Sequence, residues 1–152
     1  MRSDRREGQA MVETALLAPW LFLLFIAVFD FGFYAYAFIA TENATRVGAL
    51  TAADSWGAAG NSAGVCFQVV EEMKMLPNMV GVSCGCAGTT CTAGPVQLTV
   101  EGVEGAACAE GTETARCTRV TVRYQTLPLV PLPYLPSQLT VQRVATATVK
   151  AD

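Results

Sequence analysis

Residues 6–30 read REGQAMVETALLAPWLFLLFIAVFD. From Ala15 to Phe29 the stretch carries no charge, and beyond Asp30 a second apolar and aromatic run reaches Ala40. A bilayer core asks for roughly 20 apolar residues in one helix. The run is long enough to cross and to continue above the far surface. Arg2, Arg5 and Arg6 precede it. Basic flanks stay on the cytoplasmic side, so the N-terminus is expected inside and everything beyond residue 40 outside. Glu13 sits just inside the run, where an unpaired carboxylate costs a few kcal/mol. Pro19 is expected to kink the helix, because it lacks a backbone donor and crowds the preceding turn.

Outward from this stretch, helical spacing persists from Gln9 to Ala53. Glu42 and Arg46 form an i,i+4 pair, and Gly57 and Gly60 end the pattern. "NSAGVCFQVVEEMKMLPN" predicts a second, shorter helix. Asn61 or Ser62 caps it, Val65, Val69, Met73 and Leu76 form its apolar face, and Pro77 stops it. Then the character changes. "VGVSCG", "VQLTVEG", "TRVTVRYQT" and "LTVQRVATATVK" are β-branched runs, several alternating apolar with polar residues. "LPLVPLPYLP" holds Pro128, Pro131, Pro133 and Pro136 and predicts an extended crossing rather than a central strand. The expected organisation is a leader at 1–8, a transmembrane and stalk helix at 9–57, and an exported head at 58–152. The fold class is α+β: a short helix on a three- to four-stranded antiparallel sheet.

All six cysteines, Cys66, Cys84, Cys86, Cys91, Cys108 and Cys117, fall in the head. An even count in a small exported domain reads as a disulfide framework, with fifteen connectivities open. Cys108 and Cys117 flank the polar loop "AEGTETAR", which favours that pair, and a local pair is expected within Cys84, Cys86 and Cys91. The Cys84–Cys86–Cys91 spacing also suits a thiolate metal site. With no histidine in the chain and an oxidising compartment, disulfides are the better reading. No metal and no cofactor is expected. The net charge is −3 and no basic stripe follows the first six residues, which argues against nucleic acid. There is no G-x-S-x-G and no phosphate loop, so no catalytic set emerges and an enzyme is not expected.

Gly8-Gln-Ala-Met-Val-Glu13, with a basic leader before and an apolar helix after, resembles the site cut by prepilin peptidases in the type IV pilin superfamily. The wider stretch carries Gly8, Glu13, Pro19, Asp30-Phe31-Gly32, Tyr34, Tyr36 and Asn43-Ala44-Thr45-Arg46-Val47-Gly48-Ala49. It is similar to the TadE-like pseudopilins of the tight adherence (Flp) pilus system over residues 8–53, and only generally beyond. Thr14 and Phe33 depart from the family's usual apolar aromatic and basic residues at those positions. The resemblance implies cleavage between Gly8 and Gln9, and a minor pilin that takes part in assembling or priming a pilus or a related contact-dependent or secretion machine. It implies other pilins, pilus platform proteins, a prepilin peptidase and membrane lipid as partners. It also implies residence in the inner (cytoplasmic) membrane as a single span, with the head periplasmic or extracellular, or incorporation into the pilus. The new α-amino group of Gln9 is a suitable cation for Glu13 of a neighbouring subunit, so that burying the carboxylate fixes subunit register.

A competing reading makes the chain an exported disulfide-rich binding module. Ala35-Tyr36-Ala37 has the small-x-small form of a signal peptidase site after an apolar stretch, although Asp30 and the bulky aromatics make a poor cleavage region. As a tethered module it would keep the span as a signal anchor. Asp30 lies about 25 Å along a helix from Glu13, near the outer headgroups, and reads as an interfacial charge or a filament contact.

Overall fold

The computed structural model describes residues 4–104, 108, 116–127 and 138–149. The proline-rich stretch and most of the "AEGTETAR" loop lie outside the described residues. Helix α1 spans Asp4–Ala52 without a break, about 74 Å of rod at 1.5 Å per residue. It runs through Pro19, whose missing N–H leaves the carbonyl of Ala15 without its helical donor. The helix ends at Ala52, one residue before Ala53, where the helical spacing was expected to stop. Ser55 caps a separate single turn, α2 (Trp56–Ala59), by accepting from the Ala58 N–H at 3.1 Å.

Helix α3 spans Ser62–Met73. Asn61 is its cap: the side-chain oxygen accepts from the Gly64 N–H at 3.1 Å, satisfying a first-turn donor that has no helical partner. The expected apolar face, Val65, Val69, Met73 and Leu76, is buried together with Cys66. Pro77 begins a 3-10 turn that runs to Met79.

Five strands follow in sequence order as one antiparallel meander: β1 (Gly85–Ala87), β2 (Thr90–Ala93), β3 (Val96–Glu104), β4 (Arg116–Gln125) and β5 (Thr140–Thr148). The sheet is wider than the three to four strands read from the sequence. "VGVSCG" contributes only Gly85, while "CGCAGTTCTA" folds into a hairpin of its own. Gly88 makes that turn possible with a φ of 62°, a region open to glycine at no steric cost. Gly94 turns the next corner at φ 55°, and a Cβ there would meet Val82 Cγ2 at 2.9 Å.

Strand alternation gives the sheet a dry face and a wet one. Cys91 and Ala93, Val96, Leu98 and Val100, and Val120, Val122 and Tyr124 are buried. Gln97, Glu101, Arg123 and Gln142 on the other face are exposed. Both α1 and α3 cover the dry face, α1 lying along β4, β5 and α3. Three disulfides reinforce the head: Cys66–Cys84, Cys86–Cys91 and Cys108–Cys117. Tyr124 completes the core. Its hydroxyl donates to Asn78 Oδ1, and Asn78 Nδ2 donates to the Gln125 carbonyl at 3.0 Å.

Candidate membrane and assembly surface

The lower half of α1 has no head around it. Among the described residues from Gln9 to Phe29, only Ile26 is partly covered. The large apolar side chains among the rest, including Trp20 at 70% exposure, stand open. Large apolar side chains standing in water cost about 25 cal/mol per Å² of apolar surface, so this surface is built for another solvent. Among the described residues one helix, Gln9–Ala52, is long and apolar enough to cross a membrane, and none of its most apolar window is buried by them. The helix is suited to membrane anchoring.

At the foot of this surface Gly8 lies within α1, one residue before Gln9. Gln9 Nε2 donates to Glu13 Oε1 at 3.2 Å, one turn along, and both side chains are exposed. That partner is a neutral amide, not a cation. Thr14 turns its hydroxyl back to the Ala10 carbonyl at 2.9 Å, which hides a polar group inside the helix's own backbone.

Higher up, the surface is dented. Phe25, Val28, Phe29, Gly32, Phe33 and Tyr36 line an apolar cavity of about 410 Å³. Phe25 and Phe29 stack with ring centroids 6.3 Å apart. A Cβ on Gly32 would meet nothing within 4 Å, so no contact inside the chain requires the glycine. Asp30 is buried at 7% exposure. Its Oδ1 has no hydrogen-bond partner among the described residues.

Above Asp30 the helix changes use. Ala37, Thr41, Ala44, Thr45, Gly48, Ala49 and Ala52 are buried in a stripe against the head. Small residues let the helix axis approach its neighbours. A Cβ on Gly48 would stand 2.9 Å from Val69 Cγ2 and 3.4 Å from Val120 Cγ1. The hydroxyls of Thr41 and Thr45 donate to the carbonyls of Ala37 and Thr41, at 2.8 and 2.6 Å. Buried hydroxyls need such partners. The Thr118 hydroxyl reaches the Ala49 carbonyl at 3.3 Å and stitches β4 to α1. The Asn43–Ala49 segment therefore acts here as a packing surface for the head.

Arg143 of β5 was not singled out by the sequence reading. Its guanidinium lies 3.6 Å from the Phe38 ring centroid, and its Nε is 3.3 Å from Glu42 Oε2. The contact is an ion pair rather than an aligned hydrogen bond, since Arg143 Nε has no partner of hydrogen-bond geometry. Glu42 also pairs with Arg46 Nη2 at 3.0 Å, so one carboxylate links the helix to the sheet edge. The available signal was the Phe38–Glu42–Arg46 spacing along one helix face; what it lacked was the strand that meets it.

The sulfurs of Cys66, Cys86 and Cys91 lie within 4.8 Å of one another. All three belong to disulfides, and a metal ligand needs the thiolate. The geometry is that of two bridges in contact.

No curated protein and no solved structure matches the chain. A family model described as TadE-like protein matches residues 8–50, which takes in the foot of α1, the exposed apolar surface and nearly all of the stripe that grips the head. Over residues 8–50 this chain is similar to TadE-like proteins.

Proposed function

We propose that the chain is a minor pilin, structural rather than enzymatic. It is inserted in the cytoplasmic membrane by the lower half of α1, with its N-terminus inside and its head outside, and it takes part in assembling or priming a Tad-type pilus. Residues 1–8 are the leader, removed by a prepilin peptidase between Gly8 and Gln9. The carrying observation is the foot of α1. A glycine and a carboxylate bracket the start of an exposed apolar helix, and the carboxylate accepts from the neutral Gln9 amide. A charge in hydrocarbon calls for a partner. Cleavage creates an α-ammonium group on Gln9, and the Gln9 amine of a neighbouring subunit meets Glu13, so that neutralisation accompanies assembly. Other pilins, platform proteins and lipid are the partners.

The test is the intact mass of the mature protein. A chain beginning at Gln9 supports the reading; one beginning near Phe38 supports the exported binding module instead. Gly8→Leu should abolish leader removal, and a mature Gln9 terminus in that variant would refute the peptidase site. For Glu13, processed Glu13→Ala protein should fall out of complexes with partner pilins. Wild-type recovery in co-purification would rule out the pairing.

A further inference from the structure

Cys66 of α3 is bonded to Cys84, just before β1, and Cys86 is bonded to Cys91 across the β1–β2 hairpin. The Cys66, Cys86 and Cys91 sulfurs lie within 4.8 Å of one another, so a sulfur of one bridge is close to both sulfurs of the other. The four cysteines differ in access: Cys86 is exposed, Cys84 half-buried, and Cys66 and Cys91 fully buried. The third bridge is remote in the sheet, since Cys117 pairs in register with Val103 and Thr148 at the far end of β4.

We propose that the Cys86–Cys91 bridge is a thiol-exchange site, entered by an external thiol at Cys86, and that attack there is relayed to the Cys66–Cys84 bridge. In the first step the incoming thiolate bonds to Cys86 Sγ. The Cys86–Cys91 bond breaks and its electron pair leaves on Cys91. In the second, the Cys91 thiolate bonds to Cys66 Sγ, and the Cys66–Cys84 bond breaks with the pair on Cys84. In the third, Cys84, separated from Cys86 by Gly85 alone, attacks Cys86 Sγ. This forms Cys84–Cys86 and returns the external thiolate. No net oxidation occurs, so the thiol is a catalyst of isomerisation. Where the third step does not follow, Cys84 takes up a proton and Cys86 stays capped.

Two effects oppose each other at Cys91. Burial in apolar surroundings disfavours the thiolate. Holding nucleophile and target close together makes the attack intramolecular, and effective molarities for well-oriented groups reach about 10⁵–10⁸ M. Proximity wins, since burial slows ionisation without moving the target away. The exchange changes what α3 is tied to. Cys66 leaves the segment before β1 and joins β2 directly, so residues 80–85, which begin with the exposed Val80, lose their tether to α3. The proposal stands apart from the pilus reading and needs only a thiol in the compartment of the head.

The experiment uses the full chain in detergent with limiting reduced glutathione, quenched in acid, alkylated and mapped by mass. Expected are loss of the Cys66–Cys84 peptide, appearance of a Cys66–Cys91 peptide, either a Cys84–Cys86 peptide or, where the third step does not follow, glutathione on Cys86, and an unchanged Cys108–Cys117 peptide. Alkylated Cys91 beside an intact Cys66–Cys84 bridge would overturn the relay, as would loss of all three bridges together. Cys86→Ser leaves Cys91 as a thiol from the start. That variant should form Cys66–Cys91 without added thiol and leave Cys84 as the alkylated residue; Cys91 as the alkylated residue would again overturn it. If Cys86→Ser does not fold, the wild-type map decides alone.

Discussion

The two halves of α1 invert the usual rule for a helix surface. Below Asp30 the helix shows large residues to the outside, among them Trp20, Phe22, Phe25 and Phe29. Above Asp30 it buries small ones, Ala37, Ala44, Gly48, Ala49 and Ala52. Burial normally goes with size, because larger apolar side chains remove more surface from water. Here the small residues are inside because closeness is what the upper half supplies, and the large ones are outside because the surroundings of the lower half are themselves apolar. One continuous rod thus obeys two solvents, and Asp30 marks the change between them.

Charges placed in the two halves should separate them most sharply. Phe22→Asp is expected to cost about 2.5–3.5 kcal/mol of membrane insertion and to leave the unfolding of the head unchanged. Ala44→Asp should do the reverse, because it buries an unpaired charge in the head, where removing one partner of a buried pair already costs about 3–5 kcal/mol. Membrane flotation and thermal unfolding in detergent read the two outcomes. Equal effects in both assays would end the distinction.

A glycine pair gives the next largest contrast. Gly48→Leu must push into Val69 and should destabilise the head by about 1–3 kcal/mol, the range for overpacked cores. Gly32→Leu has open space around it and should stay within about 0.5 kcal/mol of wild type, as surface changes do. The denaturant midpoints of the two variants, measured side by side, check this.

Tyr124 gives the head a pH dependence on the alkaline side. Burial raises its hydroxyl pKa above the ordinary 10.0, partly offset by the hydrogen bond to Asn78. The folded state therefore holds this proton more tightly than the unfolded state. Stability from this group is fully present below pH 10 and declines as pH climbs through the raised folded value. Tyr124→Phe should remove that decline, and an unaltered alkaline profile in the variant would refute the assignment.

The smallest effect is expected where the halves meet. Removing the Arg143 contacts by Arg143→Met should cost about 0.5–1 kcal/mol, given its partial exposure. A double-mutant cycle with Phe38→Leu isolates the ring contact, and a coupling near zero would show that the guanidinium merely lies over the ring.

The long helix, the Asn61 cap and the face of α3 were legible because each rests on local chemistry: an apolar run, a side-chain acceptor, a period near 3.6. β3, β4 and β5 were legible from their β-branched alternation. The β1–β2 hairpin was not, since its Gly, Cys, Ala and Thr residues carry no apolar alternation and its turn depends on a positive φ at Gly88. The bridges at Cys86–Cys91 and Cys108–Cys117 close short loops that spacing suggests, whereas Cys66–Cys84 depends on where α3 lands. Arg143 over Phe38 was out of reach for the same reason: residues a hundred apart meet only once the sheet edge is laid on the helix. The Gly8–Glu13 spacing was plain in the sequence, but the cleavage and pairing proposed for it involve a peptidase and a neighbour that a single chain does not contain.

The unbroken course of α1 from Asp4 to Ala52 has a mechanical consequence. No loop separates the apolar surface from the stripe that grips the head, so tension that reaches the stripe passes down one helix. The stripe of alanines and Gly48 lies along that helix, against β4, β5 and α3. A pull along the axis therefore loads this contact in shear across its whole length rather than peeling it open from one end. The head should slip from its stalk only when many close contacts yield together.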